Sequence, residues 1–128
     1  MGNGTSIGRV RGLGSAHEGA HHWLIQRFTA IGNVVLMVWF IASILLLPNM
    51  NYATVTGWLS APVPAAAMVL LIVSIFWHAK LGLQVLIEDY VHEAGTKFAA
   101  LALLNLAVIA GGVFGIFCVA RLALGGAA

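Results

Sequence analysis

The chain alternates between long apolar stretches and short polar ones. Apolar residues dominate the stretches at about 23–47, 63–87 and 98–120. Each is longer than the roughly 20 residues that a helix needs to cross the hydrocarbon layer of a membrane. The pattern therefore predicts an all-α membrane protein with three transmembrane helices, forming a single membrane domain over residues 1–128.

The segments outside these stretches differ in character. Residues 1–22 are polar and glycine-rich, and we expect an irregular N-terminal segment there. The uncharged segment 49–62 contains Tyr52 and Trp58, two residue types that favour the membrane interface, and it has room for a short surface helix. Residues 88–93 hold a cluster of acidic side chains and predict a polar loop.

The third stretch carries small and polar residues with a predicted packing role. Gly111 and Gly115 form a small-xxx-small pair that permits close contact between helices, although glycine is also common background in membrane helices. Asn105 lies in the same stretch and needs a hydrogen-bond partner within the bundle, because lipid offers none.

The composition agrees with a membrane location. Of the 128 residues, 61% are hydrophobic and 8% are charged, whereas soluble domains are about 45–50% apolar and about 25% charged. The formal net charge of +2 is small and its carriers are sparse. A nucleic-acid partner is therefore not expected.

The basic residues predict an orientation. All but one lie at or toward the same membrane face: Arg9, Arg11, Arg27, Lys80 and Lys97. The exception is Arg121. The positive-inside rule then predicts a cytoplasmic N-terminus and, after three spans, a periplasmic C-terminus. Lys80 lies within the second span, so we expect its ammonium to snorkel to the cytoplasmic face.

His78 is the most informative polar residue. It precedes Glu88 by ten residues, or roughly 15 Å of helix, which is about half the hydrocarbon thickness. A histidine at that depth loses water and often marks a cofactor or a proton path, although a neutral histidine bonded to a neighbouring helix is about as common. Gly82, one turn later on the same face, leaves room for a flat macrocycle and favours haem.

A haem iron with two axial histidines would need a second chain. The other histidines of this sequence lie before the first span or in the polar loop, so none shares the depth of His78. The sequence therefore favours a subunit of a larger complex over a free enzyme.

Arg27 and His21 are candidates for binding an anionic group. Arg27 lies about one turn inside the first span. Its paired N–H donors suit a carboxylate such as a haem propionate, and an ordinary interfacial arginine is the alternative. His21 precedes Arg27 by six residues and could assist from the surface.

Asp89 and Tyr90 are candidates for quinone chemistry. A phenol keeps its proton at neutral pH, because its unperturbed pKa is about 10. Tyr90 can therefore donate a hydrogen bond to a quinone carbonyl, while the Asp89 carboxylate polarises the phenol or relays protons. The alternative is an interfacial tyrosine beside a wet loop.

Two residue patterns resemble the haem-b membrane anchor family, the small D subunits, of succinate dehydrogenase (succinate:quinone oxidoreductase). One pattern is a histidine, ten residues and an Asp-Tyr pair, here His78 to Asp89 and Tyr90. The other precedes the first span as Gly-x-His, five residues and Arg-x-Thr, here Gly19, His21, Arg27 and Thr29. The three-span layout agrees over nearly the whole chain, and the form ending in IEDYVH resembles that of bacteria related to the mitochondrial line.

The resemblance implies specific roles. His78 would be one axial ligand of haem b, with the other supplied by a larger cytochrome b556-type anchor subunit. Tyr90 and Asp89 would contribute to the ubiquinone site, and Arg27 and His21 would lie near the haem propionates or the quinone pocket. Some relatives have a glutamine where this chain has Val85, so no role follows for the neighbouring Gln84.

The resemblance also implies what this chain lacks. It has one cysteine and no dinucleotide-binding glycine fingerprint, so flavin and iron–sulfur clusters would reside in a flavoprotein subunit and an iron–sulfur subunit. This chain would have no catalytic centre of its own and would lie in the bacterial inner membrane or, alternatively, the mitochondrial inner membrane. A haem-free structural anchor and a small multidrug-type transporter are the competing functions. No span contains the acidic residue that such a transporter normally carries.

Overall fold

The computed structural model describes residues 17–125, and within that part four helices follow one another along the chain. They are α1 (His17–Leu45), α2 (Tyr52–Ser60), α3 (Pro62–Tyr90) and α4 (Ala94–Ala123). The helices α1, α3 and α4 are long and apolar enough to cross a membrane. The predicted all-α fold with three transmembrane helices is confirmed.

The long helices extend beyond the apolar stretches. At 1.5 Å per residue, the 29 residues of α3 span about 43 Å, more than the roughly 30 Å of hydrocarbon. Polar end residues can therefore stay helical in the interface. As a result, residues 17–22 belong to α1, although an irregular segment was expected over 1–22; residues 1–16 lie outside the described part.

The length of α3 also makes the polar loop shorter than predicted. Asp89 and Tyr90 form the last turn of α3, and the Val91 N–H still bonds to the Ile87 carbonyl at 2.9 Å. Only residues 91–93 connect α3 to α4. A carboxylate and a phenol at a helix end reach water without leaving the helix, so the predicted loop over 88–93 is confined to 91–93.

The helix α3 is central and contacts both α1 and α4, whereas the backbones of α1 and α4 do not approach each other closely within residues 17–125. The three spans therefore form a layer, and among the described residues only Ala65, Leu71, Leu81 and Val119 are buried in it, none of them completely. Most apolar side chains face outward, toward lipid or other chains.

Small residues bring α3 and α4 close together, as the sequence predicted. A Cβ added at Gly111 would fall 2.6 Å from Cε1 of Phe76, and one added at Gly115 would fall 3.3 Å from Ile72. The two glycines therefore accept side chains from α3 at positions where an alanine would crowd them.

The short helix α2 forms in the uncharged connection. Asn51 caps its start by accepting a hydrogen bond from the Thr54 N–H at 2.8 Å. The ring of Trp58 stacks on Trp39 of α1 with ring centroids 5.9 Å apart and lies beside Phe40. Besides these ring contacts to the preceding span, α2 packs against α3 and α4.

Candidate functional site

A polar cavity lies between α1 and α3. It has a volume of about 270 Å³ and is lined by Trp23, Gln26, Arg27, Ala30 and His78. Four of these residues come from α1 and only His78 from α3. The cavity therefore brings together two predicted site residues, Arg27 and His78, that lie 51 positions apart in the sequence.

His78 is held by a side chain of α1. Its Nδ1 lies 3.1 Å from the hydroxyl oxygen of Thr29, and both residues are half-buried. Thr29 is the only hydrogen-bond partner of the His78 ring among the described side chains. Nε2 is therefore the ring nitrogen that remains for a ligand from outside the chain.

The packing around this pair is close. Ser74, one turn before His78, donates a hydrogen bond to the Thr29 carbonyl at 3.3 Å. A Cβ added at Gly32 would lie 3.4 Å from the Ser74 hydroxyl, and one added at Gly82 would lie 3.8 Å from the Gln26 amide nitrogen. Small and hydroxyl side chains thus let α1 and α3 approach closely at the level of His78.

Arg27 retains unused donor capacity. Its guanidinium carbon lies 5.2 Å from the centroid of the Trp23 ring, a cation–π contact within α1. Its N–H groups make no hydrogen bond with the side chains or backbone of the described residues. A planar guanidinium with free donors at the cavity edge suits a carboxylate ligand.

His21 does not reach this cavity. It is exposed on α1, and the cavity lining begins at Trp23. The neighbouring His22 is more enclosed, and its Nε2 is buried without a hydrogen-bond partner among the described residues. At about 100° per residue, His22 shares a helix face with Gln26 and Thr29, and the polar stripe continues to Asn33.

Asp89 and Tyr90 lie apart from His78. Tyr90 is twelve residues farther along α3, about 18 Å at 1.5 Å per residue, and its side chain is 77% exposed. Neither side chain makes a hydrogen bond with another described residue. The nearby Gln84 donates to the Glu88 carboxylate at 2.9 Å, so that glutamine is engaged one turn along its own helix.

A second cavity lies on the α4 side of α3. It has a volume of about 300 Å³, and Lys80 and Asn105 are its polar lining residues. The Lys80 ammonium lies 5.6 Å from the centroid of the Trp77 ring, a cation–π contact within α3. Asn105 donates to the Leu101 carbonyl at 2.7 Å, so its partner is its own helix.

Sequence patterns alone did not assign the cavity lining at Trp23, Gln26 and Ala30. Gln26, Arg27 and Thr29 did mark the first turns of the span as unusually polar. Gln26 and Thr29 are three residues apart and lie on neighbouring positions of one helix face, and this spacing is a signal that could have indicated the face directed toward α3.

The described part of the chain contains no group of three or more histidine, cysteine, aspartate or glutamate side chains that could hold a metal ion. A metal held here by His78 would therefore need further ligands from a cofactor or another chain.

These features define a class: a small integral membrane protein with three spans and a polar site between two of them. Residues 1–114 match the family described as succinate dehydrogenase/fumarate reductase transmembrane subunit. The chain belongs to this family.

Individual relatives agree with the family match. The succinate dehydrogenase hydrophobic membrane anchor subunit of Rickettsia bellii is 34% identical over 87 residues, covering 68% of this chain and 70% of that protein. The subunit of the same name from Paracoccus denitrificans is 31% identical over 120 residues, covering 91% and 89%. The succinate dehydrogenase membrane anchor subunit of Reclinomonas americana is 30% identical, covering 72% and 79%. The predicted resemblance is confirmed, and the chain is a membrane-anchor subunit of an oxidoreductase.

Proposed function

We propose that this chain anchors the catalytic subunits of succinate dehydrogenase, ligates haem b through His78 and contributes to the ubiquinone-reduction site. The observation that carries the haem assignment is the setting of His78. It lines a cavity inside the membrane layer, it is fixed by Thr29 through Nδ1, and Arg27 lines the same cavity.

The residues present suit haem in three respects. Iron ligation by histidine uses one ring nitrogen, while the other usually donates a hydrogen bond that orients the ring. His78 meets this condition, because Nδ1 is engaged and Nε2 is not. Gly82 leaves open space beside the histidine, with only Gln26 within 4 Å of an added Cβ. Arg27 supplies free N–H donors for a propionate.

The size of the cavity supports a shared site. Its volume of about 270 Å³ is below the roughly 300–1,000 Å³ of typical small-molecule sites. This chain therefore forms one wall, and the larger cytochrome b556-type anchor subunit supplies the second histidine and the remaining walls. When bound, haem b supplies a one-electron redox centre; the protein holds, orients and shields it.

The ubiquinone assignment rests on Tyr90 and Asp89. They end α3, and we expect this helix end to lie at the membrane interface, where an amphipathic quinone head can meet water and protons. The phenol can donate a hydrogen bond to a quinone carbonyl, and the adjacent carboxylate can accept protons from water. Both groups are unengaged by the described residues and hence free to bind a ligand.

The anchoring role follows from the exposed apolar faces of the layer. Trp23, Phe28 and Phe117 are all more than half exposed in the isolated chain. Such faces suit lipid and partner helices. The flavoprotein and iron–sulfur subunits would carry succinate chemistry outside the membrane. Because the similar proteins include those of Rickettsia and Paracoccus, we place the complex in the bacterial inner membrane.

An optical spectrum of the purified complex tests the haem assignment. His78→Ala should weaken or shift the reduced b-type spectrum, because one axial ligand is lost. His92→Ala removes an exposed histidine of the connection and should leave the spectrum intact. An unchanged spectrum and midpoint potential in His78→Ala, in a complex with all subunits present, would exclude His78 as the ligand.

A further inference from the structure

We propose that Thr29 is a positioning residue for His78: its hydroxyl oxygen accepts the Nδ1–H, which presents Nε2 to the iron and sets the electron donation of the ring. This inference rests on the proposed role of His78 as a haem ligand. It adds the tautomer of that ligand and the group that tunes it.

The contacts of the Thr29 hydroxyl support this direction of the hydrogen bond. Its oxygen lies 3.0 Å from the Ile25 carbonyl oxygen, 3.1 Å from the Gln26 carbonyl oxygen and 3.1 Å from His78 Nδ1. The hydroxyl has one hydrogen, and both carbonyl oxygens only accept. Either carbonyl can therefore accept the hydroxyl hydrogen, and a hydroxyl that donates to its own helix accepts from His78, in which case Nδ1 carries the proton.

The bond within α1 does not depend on His78. A threonine in a helix commonly bonds back to the carbonyl three or four residues earlier, and its branched Cβ restricts the rotamers that allow this. A hydroxyl hydrogen that makes this local bond leaves a lone pair of the oxygen for His78. In the proposed arrangement the tautomer of His78 is thus set by the neighbouring helix.

The same hydrogen bond affects the ligand's electronic character. A bond from the outer N–H of a metal-bound imidazole raises the basicity of the ligating nitrogen. Stronger donation favours oxidised iron, which carries the greater positive charge. A neutral hydroxyl is a weaker acceptor than a carboxylate, so Thr29 lowers the haem midpoint potential moderately.

A substitution of Ser74 separates the effect of helix packing from the effect of the Thr29 hydrogen bond on the haem potential. Its hydroxyl bonds to the backbone carbonyl of Thr29, so it joins α1 to α3 at the same level. It makes no hydrogen bond with the His78 ring. Ser74→Ala therefore loosens the helix contact without removing the acceptor of the Nδ1–H.

The experiment is a redox titration of haem in the purified complex. Thr29→Val keeps the branched shape and removes the acceptor, and the midpoint potential should rise. If the hydroxyl favours oxidised iron tenfold, the rise is about 59 mV for a one-electron couple. Thr29→Ser retains the hydroxyl and should keep the wild-type potential, as should Ser74→Ala.

The electron paramagnetic resonance spectrum of the oxidised iron provides a second readout and should change in Thr29→Val alone. If the Thr29→Val complex does not retain haem, Thr29→Ala, which removes the same oxygen, is measured in its place. A midpoint potential equal to wild type in a Thr29 variant that lacks the hydroxyl oxygen would overturn the proposal. A shift in Ser74→Ala as large as that in Thr29→Val would also overturn it.

His78→Ala distinguishes a failure of the proposed Thr29 role from a failure of the haem assignment. If it alters the haem while Thr29→Val does not, only the role of Thr29 fails. If His78→Ala leaves the spectrum and potential unchanged, the haem assignment itself fails.

Discussion

The ring of Phe76 on α3 lies over the backbone of Gly111 on α4, where an added Cβ would meet Cε1 at 2.6 Å and Cζ at 2.8 Å. Gly111→Ala should therefore push the ring out of place. Overpacking of this kind typically costs about 1–3 kcal/mol. The ring borders the cavity shared with Lys80, so it has some room to move. We expect a lower thermal transition of the purified complex.

Two further variants check this packing prediction. Gly57 has no atom within 4 Å of an added Cβ, so Gly57→Ala should be neutral or slightly stabilising. The double variant Phe76→Leu with Gly111→Ala should lose less stability than the sum of its single changes, because a smaller side chain relieves the clash. Strictly additive losses would argue against direct contact.

The start of α4 should respond to acid through Glu93. Hydrogen bonds from the side chain and backbone of Thr96, and from the backbone of Gly95, lower the pKa of Glu93 below its ordinary value of 4.5. A lowered pKa means that the charged carboxylate stabilises the folded chain. That contribution is complete above about pH 4.5 and disappears as the pH falls through the folded pKa.

Glu93→Gln should therefore lower the thermal transition at pH 7, and the difference from wild type should shrink below about pH 4.5. Asp89→Asn removes a nearby exposed carboxylate that caps no helix and provides the matched control. A difference from wild type that persists unchanged into strong acid would contradict the capping explanation.

The orientation of the layer is open to a direct test. Positive-inside bias predicts that reporter fusions after Gly57 and Gly125 lie in the periplasm and a fusion at His92 lies in the cytoplasm. Gly57 follows α1, His92 follows α3 and Gly125 follows α4. A cytoplasmic signal after Gly125 would contradict the predicted topology.

Hydropathy predicted the three spans because lipid requires long apolar helices, but it did not locate their ends. Asp89 and Tyr90 look like loop residues by polarity, yet they remain helical because α3 is longer than the hydrocarbon layer is thick. Polar residues at a membrane helix end report where water begins, and the helix itself continues past that point.

The candidate site was predicted only in part. His78 and Arg27 stood out because a polar group inside the membrane is costly. Their meeting in one cavity, and the bond from His78 to Thr29 across 49 positions, depend on how α1 rotates against α3. That rotation is set by close contacts such as Gly32 with Ser74, which periodicity in one helix does not encode.

Tyr90→Phe tests the quinone assignment by removing one hydroxyl and keeping the ring. A hydrogen bond to a neutral group contributes about 0.5–1.5 kcal/mol net, and more where a buried partner loses its only bond. Since each 1.4 kcal/mol is about tenfold in rate, quinone reduction should fall at least several-fold. Assembly and haem content should be unchanged, because Tyr90 is exposed and bonds to no other described residue.

The matched control is Tyr52→Phe, which removes the chain's other phenol at the start of α2, where the side chain is 65% exposed. It should leave quinone reduction unchanged. Succinate oxidation with an artificial acceptor that takes electrons before the quinone should stay near normal in both variants, and Asp89→Asn should act in the direction of Tyr90→Phe. If Tyr90→Phe retains full quinone turnover and inhibitor sensitivity, Tyr90 is only an interfacial aromatic residue, since its hydroxyl then makes no bond that the reaction needs.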